Sequence, residues 1–339
     1  MRLLISAVEP SADLLGAELL AALGQVNVRG LGGPRMRAAG LQPLLPSRPH
    51  AMGLVEVLRH LPAIRRERNA LLTAPEADVF VAIDAPDFHL PVARRLRARG
   101  VRTIAYVSPQ LWAWRPGRAR AVAEAFDQVL CLFPFEPALY AGVSIDAQFV
   151  GHPALERALP RAAEAGCVAI FPGSRPQELR RHLDIFLAVA AGARRVVVGV
   201  ADPGTALRLP PGVEALPSAR AIACAERAIS KSGTVTLELA LAGVPTIVAH
   251  RVHPLTWAVG RMLVRGIRHL ALPNILLGRE AIPEFLQRLD EAKLRSALAA
   301  SPIPPAGELA RLLGGGGASA RAAAFVRAAL VRATESEPK

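Results

Sequence analysis

The sequence is poor in aromatic residues and in cysteine. Aromatic side chains make up 4% of its 339 residues and hydrophobic residues 52%, so any core must be built mainly from Ala, Val, Leu and Ile. Its cysteines, Cys131, Cys167 and Cys224, are odd in number and widely spaced. Their spacing fits neither a metal motif nor a disulfide framework.

A long apolar segment is also missing. The longest apolar run without a charge, residues 239–249, contains Gly243 and Pro245 and is far shorter than the ~20 residues that span a bilayer. Glu9 and Asp13 interrupt the apolar stretch that a secretory signal peptide requires. We therefore expect a cytoplasmic protein that contacts a membrane only at its surface.

Acidic residues and lysine are scarce relative to arginine. The chain has 41 basic and 28 acidic residues, a formal charge of +13, and its only lysines are Lys231, Lys293 and Lys339. Because arginine binds phosphate as a bidentate fork, such a surface suits nucleic acid, an anionic membrane or a phosphorylated substrate. A general preference for Arg and Ala would produce the same excess, so charge alone does not choose among these classes.

The order of predicted elements indicates the fold class. Short β-type runs alternate with helical stretches, which predicts an α/β chain with two Rossmann-like doubly wound domains, each built on a parallel sheet. Ligands bind such sheets at the carboxyl ends of the strands, so we expect the site in a cleft across which the domains face each other. The predicted strands are residues 2–7, 26–31, 79–84, 102–107, 128–133, 167–171, 195–200, 227–230, 246–249 and 269–272.

Composition also suggests the domain boundaries. We predict domains at residues 1–150 and 151–313, because the junction at 148–161 carries Gly151, Pro153 and Pro160. Residues 314–339 begin with four glycines and continue as an Ala/Arg-rich segment. They are predicted to form a hinge and a C-terminal helix, whose return to the N-terminal domain is left open.

Polar residues follow the predicted strands of the first half. Either Glu9 or Ser11 contacts a substrate, or the loop only caps the next helix through Ser11 or Asp13. Asp84 ends a buried strand, where a carboxylate can accept a proton from an attacking hydroxyl. For Asp87, capping of the following helix is favoured.

Two other stretches of the first half offer contact surfaces. Residues 108–115, Ser-Pro-Gln-Leu-Trp-Ala-Trp-Arg, contain two tryptophans that form either a local core or a platform for a sugar or lipid. Residues 52–68 form an amphipathic basic stretch, which is either an ordinary packed helix or one that dips into a membrane surface.

The second half contains a pattern for a nucleotide diphosphate. Gly173-Ser174-Arg175 lies before a helix, where free backbone N–H groups and a guanidinium can bind phosphate. Ser232, Gly233 and Thr234 can meet a second phosphate, and Glu238, one turn further on, can bind both ribose hydroxyls. Asn274, Arg279 and Glu280 lie in a polar loop after the last predicted strand.

Together these segments resemble the lipid-A-disaccharide synthase family, inverting glycosyltransferases of the GT-B architecture. The most specific runs are Val-Ser-Pro-Gln-Leu-Trp-Ala-Trp-Arg at 107–115 and Leu-Pro-Asn-Ile-Leu-Leu-Gly-Arg-Glu at 272–280. Other matching runs lie at 9–13, 32–36, 52–58, 83–88, 133–136, 151–153, 172–175 and 232–238. They occur in family order from Ile5 to about Leu286.

The resemblance implies a reaction. UDP-2,3-diacylglucosamine is the donor, 2,3-diacylglucosamine 1-phosphate is the acceptor, and the products are UDP and a β-1′,6-linked disaccharide 1-phosphate of the lipid A pathway. It further implies no metal or other cofactor, no nucleic-acid partner, and work at the cytoplasmic face of the inner membrane. A homodimer is left open.

The resemblance also implies roles for individual residues. Asp84 is the expected general base, and Arg175 stabilises the departing diphosphate. The residues expected to bind the UDP-sugar are Gly173, Ser174, Arg175, Ser232, Gly233, Thr234, Glu238, Asn274, Arg279 and Glu280. Those expected to bind the acceptor are Glu9, Ser11, Asp87, Ser108, Gln110, Trp112, Trp114 and Arg115. Those expected to contact the membrane are Leu54, Val57, Leu58, Leu61, Arg65 and Arg66.

One departure from the family pattern affects the acceptor side. Val8 and Ala12 replace both glycines of the family's Gly-Glu-x-Ser-Gly-Asp loop, which adds two side chains where a ligand would approach. A GT-B transferase with another UDP-sugar or lipid acceptor is therefore an alternative. A nucleic-acid binder is disfavoured because aromatic residues are scarce and no binding motif is present. A catalytically inactive lipid binder is disfavoured because Asp84, Arg175 and Glu238 are all present.

Overall fold

The structure is a computed structural model that describes residues 2–45, 54–111, 117–157, 160–200, 207–252, 257 and 268–335. The chain divides into two compact units. The first comprises Met1–Pro153 with Gly316–Lys339, and the second comprises Ala154–Gly315. Each unit contains one sheet, and all the strand pairings described are parallel. The predicted α/β fold class is thus confirmed.

The sheet of the first unit has the strand order β3-β2-β1-β4-β5-β6-β7. Its centre is Val-Phe-Val-Ala-Ile in β4, which is buried throughout, as expected for a strand covered on both faces. The strands are β1 (Arg2–Ala7), β2 (Asn27–Leu31), β3 (Gln42–Pro43), β4 (Val79–Ile83), β5 (Arg102–Tyr106), β6 (Gln128–Cys131) and β7 (Asp146–Phe149).

The sheet of the second unit has the order β10-β9-β8-β11-β12-β13. Its strands are β8 (Cys167–Phe171), β9 (Arg195–Val200), β10 (Val213–Pro217), β11 (Arg227–Ser230), β12 (Thr246–His250) and β13 (Glu284–Leu286). The α-helices of the chain are α1 (Pro10–Leu23), α2 (Pro34–Ala38), α3 (Leu54–Leu72), α4 (Pro86–Arg97), α5 (Arg118–Ala125), α6 (Pro176–Ala190), α7 (Ser218–Cys224), α8 (Val235–Leu241), α9 (Leu272–Leu277), α10 (Glu291–Ala299), α11 (Ala306–Leu312) and α12 (Ala318–Glu335).

In the first unit, successive residues of each strand pack alternately into two separate cores, one on each face of the sheet. Ile5, Val81 and Ile83 pack with α1 and α12 on one face, whereas Phe80 and Ala82 pack with α3, α4 and α5 on the other. The C-terminal helix α12 contributes alanines to the first of these cores, so the chain returns to the unit in which it began.

The second unit follows the same plan. Ile170, Ile229 and Ile247 face α6 and α10, whereas Ala169 and Ala228 face α7 and α8. None of the helices among the described residues has both the length and the apolar character needed to cross a membrane.

The prediction of a strand at 269–272 is wrong. Helix α9 begins at Leu272, and the last strand of the sheet is β13, which pairs with β12. Pro273 lies in the first turn of α9, where its fixed φ and missing N–H suit a helix start. The strands β3, β7, β10 and β13 were not predicted, because they are short or carry polar residues and so lack an apolar pattern.

The predicted capping by Ser11 or Asp13 is also wrong. Helix α1 starts at Pro10 after Glu9, and the buried carboxylate of Asp13 belongs to the neighbouring loop instead. It accepts hydrogen bonds from the backbone N–H groups of Gly33 (2.6 Å), Arg35 (3.1 Å) and Met36 (3.2 Å). Asp13 therefore caps α2 and fastens it to α1.

We predict that Asp13→Ala lowers the free energy of unfolding by about 1–3 kcal/mol, because it leaves buried N–H groups of the α2 turn without an acceptor. The measurement is urea unfolding followed by circular dichroism. Ser11→Ala, an exposed change on the same helix, is the control and should alter stability by less than about 0.5 kcal/mol. Equal stability of both variants would contradict the assignment.

Candidate active site

Three strand ends meet at one edge of the first sheet. Ala7 of β1 lies beside Ile83 of β4, and Ile83 lies beside Tyr106 of β5, so the loops after these strands emerge together. Here three residues other than glycine have left-handed φ angles: Asp84 (53°), Ala85 (45°) and Val107 (82°). Such strained backbone persists where surrounding contacts enforce it and is concentrated at functional sites.

Hydrogen bonds hold the backbone of Asp84 on both sides. Its N–H donates to the carbonyl of Tyr106 (3.0 Å), and its carbonyl accepts from Nδ1 of His89 (2.7 Å). The Asp84 side chain is half-buried. The backbone of Asp84 is thus held at the carboxyl end of the central strand, where the sequence pattern predicts this residue.

The other residues predicted for the acceptor are distributed around this edge. Glu9 is half-buried before α1, and Ser11 is exposed. Asp87 lies in the first turn of α4, where its exposed carboxylate is ion-paired with Arg118. Gln110 is exposed, and Trp112, Trp114 and Arg115 lie outside the described residues.

The two residues that replace the family's loop glycines, Val8 and Ala12, differ in how far they reach the surface. Ala12 is fully buried and packs into the core between α1 and the sheet, so its methyl group is part of the core. Val8 is half-buried at the end of β1. Of the two departures from the family loop, only Val8 reaches the surface of the strand-end edge.

A buried polar network supports the start of the tryptophan loop. The hydroxyl of Ser108 is hydrogen-bonded to that of Tyr140 (2.9 Å). Nearby, the carboxyl group of Glu136 accepts from the N–H groups of Leu132 (2.9 Å) and Phe133 (3.0 Å). Burial raises the pKa of Glu136 to about 8. Glu136 lies in the family-matching run at 133–136, but the sequence pattern predicted no role for it.

In the second unit, strand register brings together the two loops with the predicted phosphate pattern. Phe171 of β8 lies beside Ser230 of β11, so Gly173-Ser174-Arg175 and the loop beginning at Lys231 emerge next to each other. Gly173 has a φ of 112°, and a Cβ there would lie 2.4 Å from a carboxylate oxygen of Glu178. Glycine is therefore required at this turn.

The carboxylate of Glu178 connects the two loops that emerge at this edge of the second sheet. One of its oxygens accepts from the backbone N–H groups of Ser174 (3.1 Å) and Arg175 (3.3 Å). The other accepts from Nζ of Lys231 (2.8 Å) and lies 3.9 Å from a guanidinium nitrogen of Arg175. Although burial opposes its ionisation, hydrogen bonding to Lys231 and the nearby charges hold the pKa of Glu178 below its usual value.

This arrangement corrects one expectation about phosphate binding. Two of the N–H groups that the sequence pattern assigned to a phosphate donate to Glu178 instead, because Glu178 lies three residues into the helix, where its side chain folds back on the first turn. The side chains of Arg175 and Lys231 bring positive charge to this edge. Their exposed fractions are 50% and 18%.

Lys231 was missed by sequence reasoning, although a signal was present. It is one of three lysines in a chain that otherwise uses arginine, and it directly precedes the predicted Ser232-Gly233-Thr234 loop. Two histidines behind it were missed as well. His182 donates from Nδ1 to the carbonyl of Glu178 (2.8 Å) and accepts at Nε2 from the N–H of Arg251 (2.9 Å), which leaves the ring neutral.

The second histidine is His250, at the end of β12. Its ring centroid lies 5.6 Å from that of His182, and burial lowers its pKa to about 4. Burial lowers the pKa of His182 too. With both imidazoles neutral, positive charge at this edge comes from arginine and lysine side chains, among them Arg175 and Lys231.

The loop after β11 contains the predicted residues Ser232, Gly233 and Thr234, and the predicted Glu238 follows in α8. The hydroxyl of Ser232 donates to the carbonyl of Leu270 (2.8 Å), whereas Thr234 is exposed and makes no capping bond with its side chain. Glu238, in the first turn of α8, is half-buried and lies 3.4 Å from a guanidinium nitrogen of Arg157. Of these, Thr234 and Glu238 keep oxygens near the surface.

The structure gives Asn274 a different role from the predicted one. Its buried amide nitrogen donates to the carbonyl of Ile282 and to Glu284, and its oxygen accepts from the N–H groups of Ala281 and Ile282. All its donors and acceptors are thereby used in holding this loop. Arg279 forms a bidentate pair with Glu308 at the surface, and Glu280 is exposed.

The predicted membrane residues lie on α3. Leu61, Arg65 and Arg66 are exposed there. The side chains of Leu54, Val57 and Leu58 lie outside the described residues. Within the described part of the chain, no three His, Cys, Asp or Glu side chains converge as a metal-binding group.

The fold defines a class of protein, an α/β chain of two units that are each built on a parallel sheet. Among solved structures, the chain is similar to the kitacinnamycin glycotransferase, with a TM-score of 0.59, 18% identity, and coverage of 97% of this chain and 98% of that one. It is also similar to the UDP-GlcNAc 2-epimerase of Methanocaldococcus jannaschii in complex with UDP-GlcNAc and UDP, with a TM-score of 0.60, 11% identity, and coverage of 97% and 100%. At these identities the likeness shows the fold alone.

Sequence comparison identifies the family. The family model described as lipid-A-disaccharide synthetase matches residues 3–200 and 215–303. The lipid-A-disaccharide synthase of Alkalilimnicola ehrlichii is 40% identical over 85% of this chain and 85% of its own length. That of Anaeromyxobacter dehalogenans is 38% identical over 99% of this chain and 94% of its own. The chain therefore belongs to the lipid-A-disaccharide synthase family, which confirms the resemblance.

The raised pKa of Glu136 predicts a pH dependence of stability. The pKa rises from 4.5 to about 8 on folding, so the fold favours the protonated carboxyl group. The resulting stabilisation is fully present below pH 4.5 and is lost as pH rises through about 8. Glu136→Gln, which retains an acceptor oxygen, should remove this loss, which is on the order of a few kcal/mol. Urea unfolding of both proteins from pH 5 to pH 9 measures it, and parallel curves would contradict the prediction.

Proposed function

We propose that this protein transfers the diacylated glucosaminyl group of UDP-2,3-diacylglucosamine to the 6-hydroxyl of 2,3-diacylglucosamine 1-phosphate. The products are UDP and the β-1′,6-linked disaccharide 1-phosphate. As a member of its family, the protein is a hexosyltransferase of lipid A biosynthesis. The observation that carries the proposal is the pairing of the Gly173–Arg175 and Lys231–Thr234 loops at neighbouring strand ends in a chain of this family.

In this proposal the second unit binds the UDP part of the donor. Arg175 and Lys231 meet the two phosphates, and the carboxylate of Glu238 accepts from the ribose hydroxyls. Negative charge grows on the diphosphate as it leaves, and these two cations stabilise it without a metal or other cofactor. Because Glu178 already holds Lys231 by a hydrogen bond and lies within ion-pair distance of Arg175, little reorganisation is needed when the bond breaks.

The first unit supplies the base in this proposal. The acceptor 6-hydroxyl gives its proton to the carboxylate of Asp84 while its oxygen bonds to the anomeric carbon from the face opposite UDP. The bond from that carbon to the diphosphate oxygen breaks, and its electron pair leaves with UDP. Direct displacement of this kind inverts the anomeric centre.

We further propose that α3 contacts the cytoplasmic face of the inner membrane. Both proposed substrates carry acyl chains and therefore reside in a bilayer. Leu61 is 38% exposed on this helix, and Arg65 and Arg66 are exposed near it. An apolar residue flanked by arginines suits an interfacial helix at an anionic surface.

The direct test is product analysis by mass spectrometry after incubation of the purified protein with both acylated substrates. We expect the disaccharide 1-phosphate and an equal amount of UDP. If no disaccharide forms but UDP is released with another lipid or sugar acceptor, the alternative of a different GT-B transferase replaces this one. No transfer with any substrate pair would overturn the proposal.

We predict that Asp84→Asn lowers kcat by about 10²–10⁴-fold, because the amide cannot take the acceptor proton. Binding of UDP, measured by calorimetry, should be unchanged because its proposed contacts lie in the second unit. Substantial transfer by Asp84→Asn would remove Asp84 from the role of base.

We predict that Arg175→Gln weakens UDP binding and lowers kcat by about 10²–10³-fold, because it removes a charge that stabilises the leaving group. Arg180→Gln is the matched control, since Arg180 is exposed on the same helix and the charge change is identical. Steady-state kinetics and calorimetry on both variants decide the matter. An equal effect of the two substitutions would indicate a general influence of charge.

A further inference from the structure

The buried imidazole of His89 links two of the strand ends at the proposed acceptor site. His89 is completely buried in α4. Its Nδ1 lies 2.7 Å from the backbone carbonyl oxygen of Asp84, and its Nε2 lies 2.9 Å from the hydroxyl oxygen of Ser6 in β1. No part of the reaction described above uses either contact.

We propose that His89 is a positioning residue, which holds the backbone of Asp84 in the left-handed conformation that aims its carboxylate, while Ser6 holds the imidazole. This inference rests on the proposed function of Asp84 as the base. His89 itself takes no proton from the substrate.

The backbone geometry shows why such a residue is needed. Asp84 and Ala85 are consecutive residues with φ angles of 53° and 45°, and neither is a glycine. Left-handed backbone is unfavourable for side chains with a Cβ, so neighbouring contacts must enforce it. One is the bond from the Asp84 N–H to Tyr106, and the next peptide unit is held by His89 through the Asp84 carbonyl.

The partner of each imidazole nitrogen of His89 indicates whether that nitrogen donates or accepts. A carbonyl oxygen only accepts, so Nδ1 of His89 carries a proton and donates it. In the neutral ring Nε2 is then an acceptor, and the hydroxyl of Ser6 donates to it. Phe88, edge-on at 4.9 Å between centroids, packs beside the imidazole.

The link also joins the loops that carry the predicted acceptor residues. Ser6 lies beside Ala82 in the sheet and three residues before Glu9. The N–H of His89 donates to the carbonyl of Ala85 (3.1 Å), so the imidazole and the strained turn belong to the same helix start. A shift of His89 would therefore move the base relative to the loop after β1.

Two substitutions separate the contacts. The side-chain amide of His89→Asn lies where Nδ1 lies and can still donate to Asp84, whereas that of His89→Gln lies where Nε2 lies and can bond only to Ser6. Each variant loses one buried hydrogen bond and part of the ring, so both should unfold at similar temperatures. A purely structural role would lower the activity of both equally.

We expect kcat to stay within about threefold of the wild type in His89→Asn and to fall about 10²-fold in His89→Gln, because misplacement of a base has effects of that size. The KM for the UDP-sugar should stay within about twofold in both variants, since its proposed contacts lie in the second unit. Equal kcat values for the two variants, or a change in KM alone, would overturn the proposal.

If a His89 variant does not fold, Ser6→Ala tests the same proposal. It removes a single hydroxyl group and should lower kcat about threefold or more with KM unchanged. Wild-type kcat in Ser6→Ala would then overturn the proposal. A wild-type protein that forms no disaccharide would instead overturn the proposed function, and an active Asp84→Asn variant would overturn the role of the base.

Discussion

Parallel strand pairing determines where the polar residues of this chain meet. Neighbouring strands of a parallel sheet end at the same edge, so loops that are distant in sequence emerge side by side. The register of Ile83 with Tyr106 brings the turn at Asp84 next to the loop at Ser108. The register of Phe171 with Ser230 does the same for Arg175 and Lys231. Without these pairings, each motif would be an isolated turn with too few groups to bind or activate a substrate.

The strand-end edges of the two sheets carry different charged groups. At the second sheet, Glu178 holds Arg175 and Lys231 in place through a carboxylate that is itself bonded to backbone N–H groups. The neutral imidazoles of His182 and His250 add no charge to this cluster, because burial lowers the pKa of both. At the first sheet, hydrogen bonds to Tyr106 and His89 hold the backbone of Asp84 in a left-handed conformation.

Sequence patterns predicted the central strands well and the edges poorly. β4 and β8 are runs of apolar residues buried on both faces, and such runs are visible without a structure. The strand at β7, Asp-Ala-Gln-Phe, has no such pattern, because an edge strand is buried on fewer sides. The region around Leu272 was misassigned because an apolar run next to a proline fits a strand end and a helix start equally well.

The sequence by itself determined the fold class, the family and the motifs at the strand ends, because these depend on local order and residue type. Tertiary structure decided how individual side chains are used. Asp13 lies in α1 but caps α2. The side chain of Asn274 uses all its hydrogen bonds to hold a loop, and Ala12 lies in the core. Lys231 joins Glu178, and His89 joins Asp84 to Ser6, across strands that are distant in the chain. A hydrogen bond depends on distance and direction in space, and only the packed strands and helices specify either.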